Sequence, residues 1–262
     1  MTGTVQAPMR EPLQRRLARL AARTIRTRTA QARPHAPLVS FTFDDIPDSA
    51  AERGAAILEE AGGSGTFYVA GSLVGAVEPT RRLASRDQCR DLHRRGHEIG
   101  CHTFSHRAVS ELGRATLAND IAKNAGFLGE IDPGIALVNF AYPFNTTSLR
   151  AKRQLEAHYA SCRGGVPGIN AGRIDLGFLR AVELADACID AETARSWIAR
   201  AVEARGWLVF FSHGISERPE PWGCHPDLLR AAVSEARRQG AAIVTMRDAL
   251  RQVFAGDRAL AS

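Results

Sequence analysis

The chain has 262 residues, 45% hydrophobic and 24% charged, ordinary proportions for a globular protein with a sizeable core, and long enough for one large α/β domain. Its five cysteines (Cys89, Cys101, Cys162, Cys188 and Cys224) are scattered without a CxxC spacing. That argues against a disulfide scaffold or a cysteine-based zinc site, and for a reducing compartment.

The net charge of +6 is concentrated at the start, where residues 1–36 carry eight arginines against one acid, Glu11. This segment lacks the apolar h-region of a secretory signal, and no run elsewhere is long enough to span a bilayer. A cytoplasmic protein is expected, with the inner face of the membrane as an option. Leu13, Leu17, Leu20, Ala21 and Ile25 recur at helical spacing opposite Arg15, Arg16, Arg19, Arg23 and Arg26. Such a helix is either a packed or frayed N-terminal arm or a basic amphipathic element able to lie on an anionic membrane. A nucleic-acid partner is not expected, because no aromatic interleaving or recognition motif accompanies the arginines.

From Pro37 to the end, strand-like and helix-like segments alternate, so the chain divides into an arm (1–36) and a single domain (37–262). PLVSFTF (37–43) reads as a strand ending at Asp44-Asp45. Ser49 with Glu52 predicts a capping box for a helix through Glu60, stopped by Gly62-Gly63. GTFYVA (65–70) is a strand, 81–95 a polar helix, and HEIGC (97–101) a strand. A helix follows from Ser110 to about Phe127, then a strand over 135–142 and a helix over 148–158. Two short strands are expected around HYASCRGG and FLRAVEL. Residues 191–205 are helical, WLVFFSH (207–213) is the most apolar strand, 226–239 is helical, and AAIVTM (241–246) precedes a last helix.

Alternation at this density means βαβ units and a mainly parallel sheet. The chemistry-bearing residues fall at strand ends, where an α/β barrel collects its active site. An open doubly wound sheet is the rival, but no GxGxxG or P-loop supports nucleotide binding. Taken singly, each motif has a bland explanation: Asp44-Asp45 could cap a turn, His102 and His106 could share a solvated face, and His213 could be structural. Jointly, paired carboxylates, an i, i+4 histidine pair and a third strand-end histidine are hard to assign to caps and packing. Imidazoles at i and i+4 lie on one face of a helical turn and can grip one cation, and a distant carboxylate completes an open two-His-one-carboxylate site.

These residues resemble the polysaccharide deacetylase family (NodB homology, carbohydrate esterase family 4). Thr42-Phe43-Asp44-Asp45 matches its TFDDG motif, with Ile46 in place of the glycine, and His102-Thr103-Phe104-Ser105-His106 matches H-[ST]-x-x-H. Phe140 to Asn145 aligns with the FRPPYG motif, and Phe211-Ser212-His213 with the hydrophobic-x-His strand end. The resemblance implies a distorted, incomplete (β/α) barrel and a divalent metal, zinc first and cobalt or another ion as alternatives, held by Asp45, His102 and His106. It implies Asp44 as general base, His213 as general acid and the backbone N–H of Phe144 as oxyanion donor. The implied substrate is an N-acetylated glycan, a lipid-linked precursor being one form; O-acetyl esterase and non-catalytic glycan binder are the rivals.

Two departures stand out. The arginine of the third motif, which in the family orients the base, is Ala141 here, and the Asp-rich fourth motif that partners it is not recognisable. Arg163 and Arg180 are the candidates to replace it. The CRGGVPGIN…LRAVEL stretch resembles a bacterial subgroup associated with exopolysaccharide synthesis.

Overall fold

The computed structural model describes residues 13–254. Its first half runs α1 (Leu13–Thr24), β1 (Thr29–Ala32), β2 (Leu38–Asp44), α2 (Ala55–Glu60), β3 (Thr66–Val69), α3 (Arg86–Arg94), β4 (Glu98–Cys101) and α4 (Arg114–Ile131). The second half runs β5 (Asn139–Ala141), α5 (Leu149–Leu155), β6 (Ser161–Arg163), β7 (Gly172–Asp175), β8 (Val182–Glu183), α6 (Ala191–Glu203), β9 (Trp207–Ser212), α7 (Pro226–Arg238), β10 (Ala242–Ile243) and α8 (Met246–Val253).

The main sheet has the order β6-β5-β4-β3-β2-β9-β8, with β10 paired to the start of β2, and every pairing in it is parallel. Residues 176–184 run between its two edges. On one side Leu179 N donates to Cys162 O and Gly164 N to Leu179 O; on the other, Val182 pairs with Phe210 and Leu184 N donates to Phe211 O. The sheet therefore curls into an incomplete, distorted (β/α) barrel rather than an open doubly wound sheet.

Period-2 alternation sorts the side chains. In β2, Val39, Phe41 and Phe43 pack outward in the helix-covered core, Phe41 stacked on Phe210 and Phe43 on Phe67. Leu38, Ser40, Thr42 and Asp44 alternate with them toward the barrel interior, where Tyr68, Val209 and Phe211 also pack. Helix α8 closes the end where the strands begin: Met246 N donates to Thr66 Oγ1, and Arg247 N to the fully buried Glu98. Glu98 also accepts from Thr66 and Asn139, which makes it a structural carboxylate. His97 is likewise packed, its Nδ1 accepting from Gly65 N. The opposite end, where the strands finish, is left for chemistry.

Several boundaries differ from the sequence reading, each for a local reason. Ser49 makes no helix cap; its hydroxyl accepts from Ile215 N, Glu52 accepts from Gln88, and the helix begins as a π-turn over Ala50–Gly54. The working capping box is Ser85 with Gln88, so α3 starts at Arg86 and 81–84 is an extended loop bridged to Pro47 and Val77. The helix expected from Ser110 is α4, Arg114–Ile131, and the strand over 135–142 shortens to Asn139–Ala141. β1 and β7 were not anticipated: each is short, and their antiparallel pairing forms a separate two-stranded sheet whose period is unreadable in four residues. The arm's residues 1–12 and the last eight of the domain lie outside the described residues.

The described part of the arm is built into the domain. Beyond the β1–β7 pairing, Lys152 is fully buried and donates to the carbonyls of Ala22 and Ile25, which end α1 and leave carbonyls without helical partners. Its charge is met by Asp175 at 2.5 Å. Thr27 Oγ1 and Arg28 Nη1 anchor the next residues on Glu156. Among the described residues no helix is long and apolar enough to cross a membrane. Removing one partner of a buried ion pair costs about 3–5 kcal/mol. Lys152→Met should therefore lower the melting temperature and open the chain around residues 22–32 to limited proteolysis; unchanged cleavage there would show that the lysine does not hold this segment.

Candidate metal and hydrolase site

Three strand ends supply the site. Asp44 is the last residue of β2 and its side chain points inward. Asp45 follows with φ 60° and Ile46 with φ 47°, so the chain turns sharply and sends the second carboxylate another way. Left-handed backbone costs about 1–3 kcal/mol at a non-glycine residue and more at a β-branched one. Ile46 occupies the position where the family motif has glycine, and its side chain is fully buried in the core, which offsets that cost.

The histidine pair converges by a different route from the expected helical turn. Residues 102–106 are a loop beyond β4, with Thr103 at φ 63° and His106 at φ 49°. Asp120 at the second turn of α4 fixes this loop by accepting from Phe104 N and Ser105 N. His102 Nδ1 donates to the carbonyl of Ala141 at 2.8 Å, which leaves Nε2 as the free lone pair. Nε2 of His102 and of His106 lie 3.6 and 2.9 Å from Asp45 Oδ1.

This donor set fits a divalent cation. Asp45 Oδ1 is buried and has no well-directed hydrogen bond, and the three ligand atoms lie within 4.8 Å of one another. Two imidazoles and a carboxylate leave coordination positions open, as a catalytic rather than structural site does. Burial pushes the Asp45 carboxyl up, but the close approach of His106 Nε2 and the positive charge of His102, His106 and His213 when protonated outweigh it and hold it well below the usual carboxylate range.

Asp44 has a separate partner. Arg163, fully buried on β6, places Nη2 2.5 Å from Asp44 Oδ2, while Asp44 Oδ1 is buried with no hydrogen bond. The guanidinium lies over the rings of Phe211 (4.7 Å) and Tyr68 (5.4 Å), and its Nη1 donates to Gly164 O. Arg163 pairs in register with Ala141 on the neighbouring strand. Arg180 is not at the site: it is exposed and donates to Pro167 O, because it points outward from the strand-edge segment.

His213, just past β9, donates from Nδ1 to Trp222 O at 3.2 Å and places Nε2 4.0 Å from Asp45 Oδ2. Phe144 lies in the turn Pro143–Asn145 at φ 56°, its ring 4.7 Å from that of His106 and largely exposed. Together these residues line a cleft of about 510 Å³. The sequence reading missed three of the residues that line it, Arg81, Glu183 and Trp222. Arg81 reaches from the 81–84 loop to Asp45 Oδ2 at 3.1 Å and to Glu78 at 2.6 Å, and Trp222 stands exposed beside His213. Neither carries a motif: Arg81 is one of 34 basic residues, and loop length alone decides where Trp222 falls.

Three residues fit to hold a cation, with a carboxylate on one flank and a histidine on the other, form the kind of arrangement that metal-assisted hydrolysis uses. The model of the polysaccharide deacetylase family matches residues 31–160, and the chain belongs to that family. Arg163 and His213 lie beyond the matched span. No curated protein is similar enough in sequence to match the chain. Among solved structures, a Mycobacterium smegmatis protein assigned as a polysaccharide deacetylase superposes with TM-score 0.64 at 18% identity, over 86% of this chain and 96% of that one. A family 4 acetyl xylan esterase from Clostridium thermocellum, in complex with a cobalt ion, gives 0.59 at 21%, over 81% and 90%. The Bc1960 peptidoglycan N-acetylglucosamine deacetylase gives 0.59 at 17%, over 83% and 90%. At these identities the likenesses establish the shared fold.

With no cation bound, the site carries an acid liability. Burial above all, with the charges of His106 and Arg163, pushes His102 down to about 4 from 6.5, against the pull of Asp44 and Asp45; burial also lowers His97. A depressed histidine is neutral in the folded state, so its stability contribution is intact above pH 6.5 and is lost as the unfolded chain alone takes up protons. At about 1.4 kcal/mol per pKa unit, His102 accounts for roughly 3 kcal/mol on going down to its folded pKa. Metal-stripped protein should lose melting temperature steeply between pH 6.5 and 4, and a flat profile there would contradict the burial argument.

Proposed function

We propose that the chain is a metal-dependent N-deacetylase, with zinc as its cation, acting on N-acetylhexosamine units of a bacterial exopolysaccharide or its precursor. The observation that carries this reading is the division of labour between the adjacent carboxylates. Asp45 faces the two imidazoles, whereas Asp44 is held by a cation at one oxygen and leaves the other bare.

Asp45, His102 and His106 would hold the ion. When bound, it supplies Lewis acidity that polarises the acetyl carbonyl and makes a water easier to deprotonate. Asp44 Oδ1 accepts that water's proton as the oxygen attacks the carbonyl carbon. Arg163 fixes the plane of Asp44, which spares reorganisation in the transition state. The Phe144 N–H donates to the oxygen that gains negative charge. Nε2 of His213 then gives a proton to the departing amine as the C–N bond breaks, its Nδ1–H already fixed by Trp222 O. Water and amide are consumed; acetate and the free sugar amine are released.

The exopolysaccharide assignment rests on the CRGGVPGIN…LRAVEL resemblance, and the peptidoglycan N-acetylglucosamine deacetylase among the structural neighbours supports an amino-sugar substrate. A cytoplasmic site of action is supported by five free cysteines. Contact of α1 with the inner membrane face is supported by exposed Leu17 and Leu20 beside Arg16.

Purified protein with zinc should release acetate from N-acetylglucosamine oligomers faster than from O-acetylated xylan; the reverse preference would make it an esterase. Asp44→Asn should cost about 10²–10⁴ in kcat. Because Ala141 and Arg163 are cross-strand partners, the guanidinium can be moved back. Arg163→Ala should lower kcat by about two orders of magnitude, because Asp44 loses the group that fixes its plane. The double variant Ala141→Arg/Arg163→Ala should recover a substantial part of that loss. Full activity of Arg163→Ala would dismiss the arginine from the mechanism.

A further inference from the structure

Asp45 divides its two oxygens. Oδ1 faces the imidazoles of His102 and His106, whereas Oδ2 accepts from Arg81 Nη2 at 3.1 Å, with His213 Nε2 4.0 Å away. The last torsion of an aspartate is broad and roughly two-fold, so a partner on each oxygen is what fixes the carboxylate plane.

Arg81 is held as firmly as the carboxylate it holds. Glu78 N donates to Arg81 O at 2.8 Å and Leu83 N to Ala76 O at 2.9 Å, so 76–83 folds back on itself as a small hairpin. That hairpin is laced to the residues just past Asp45: Ala84 N donates to Ile46 O and Asp48 N to Arg82 O, both at 2.9 Å. The Arg81 side chain is only 14% exposed, its Nε donating to Glu78 Oε2 at 2.6 Å and lying 3.7 Å from Glu220 Oε2. Glu220 in turn accepts from the Thr80 hydroxyl.

The two glutamates decide what Arg81 can do. An isolated guanidinium beside Asp45 would compete with a cation for the charge of that carboxylate. This one already meets the charge of Glu78 and Glu220, so Asp45 keeps its own charge for the ion, and Arg81 supplies direction. Its planar fork spans Asp45 with one nitrogen and Glu78 with another, which the single ammonium of a lysine does not reproduce.

We propose that Arg81 is the positioning residue for Asp45: it takes Oδ2 out of use, so that Oδ1 alone is turned toward the two imidazoles. A second carboxylate oxygen on the cation would fill a position that hydrolysis needs open. The inference rests on the deacetylase reading only through the cation, and its test needs no turnover. Competition of the metal-free full chain with a chromogenic chelator for zinc should give a Kd raised about tenfold to a hundredfold in both Arg81→Met and Arg81→Lys. The direction of the change separates orientation from charge. Were the guanidinium only a positive charge, Arg81→Met would leave Glu78 and Glu220 uncompensated and bind zinc more tightly, and Arg81→Lys would match the unmodified protein; either result overturns the proposal. Arg81→Lys retains the charge the glutamates require, so its result decides the matter where Arg81→Met fails to fold. The visible absorption of the cobalt-loaded protein should weaken in Arg81→Lys, as a freed Oδ2 raises the coordination number, and an unchanged spectrum also overturns the proposal. Failure of the unmodified protein to bind zinc or cobalt is a separate outcome, which removes the metal site and the deacetylase reading together with this role for Arg81.

Discussion

The buried ion pair between Asp44 and Arg163 is the constraint on which the rest of the site depends. Both side chains are almost completely withdrawn from water, and an unpaired charge there would cost several kcal/mol. Neither residue can be changed alone without stranding its partner, so the end of β2 and the end of β6 are tied together across the barrel mouth. That tie sets where Asp44 presents its bare oxygen. It also explains the empty position on β5: with the guanidinium delivered from β6, a second cation at Ala141 would meet it directly. Ala141 instead contributes its carbonyl, which orients His102, so the same strand end serves the metal side of the cleft through backbone alone.

Convergence at the cleft is obtained with strained backbone. Of the described non-glycine residues in the left-handed region, Asp45, Ile46, Thr103, His106, Phe144 and Asn145 all belong to the three loops that meet there, and only Arg205 lies elsewhere. At about 1–3 kcal/mol each, such conformations persist only where the surroundings over-determine them. The surroundings here are identifiable: the Ile46 side chain in the outer core, the Asp120 carboxylate under the histidine loop, and the Phe144 ring against His106. Strain and preorganisation are two descriptions of the same loops.

The residues that meet in the cleft were legible in the sequence because strand ends and motif spacing place them, and the barrel follows from dense strand–helix alternation. The geometry joining them was not. The i, i+4 histidines meet through a left-handed loop that the 3.6-residue period does not describe, and Ser49-x-x-Glu52 has the form of a capping box while its hydroxyl is used by Ile215. Arg163 and Arg180 looked equivalent on paper. Only strand register separates them, because Arg163 stands opposite Ala141 and points inward, whereas Arg180 lies on the outer side of the closing segment. Arg81 illustrates a harder case, a contact to the metal-binding carboxylate made by a loop arginine with no pattern around it.

For the N-terminal segment composition left several readings open. Of those allowed by eight arginines in residues 1–36, the packed arm is the one the described residues fit: Lys152 binds the end of α1 and β1 pairs with β7, so the segment forms one wall of a cavity. Arg23 and Arg26 project from α1 or just beyond it, and Arg173 from β7, so the cavity exists only while the two are docked. Charge that would otherwise be a diffuse surface field is thereby concentrated within reach of Asn145, and through it of Arg163 and Asp44. Docking of α1 also reaches the turn that carries Phe144, because Arg23 Nη2 donates to the carbonyl of Asn145, the next residue.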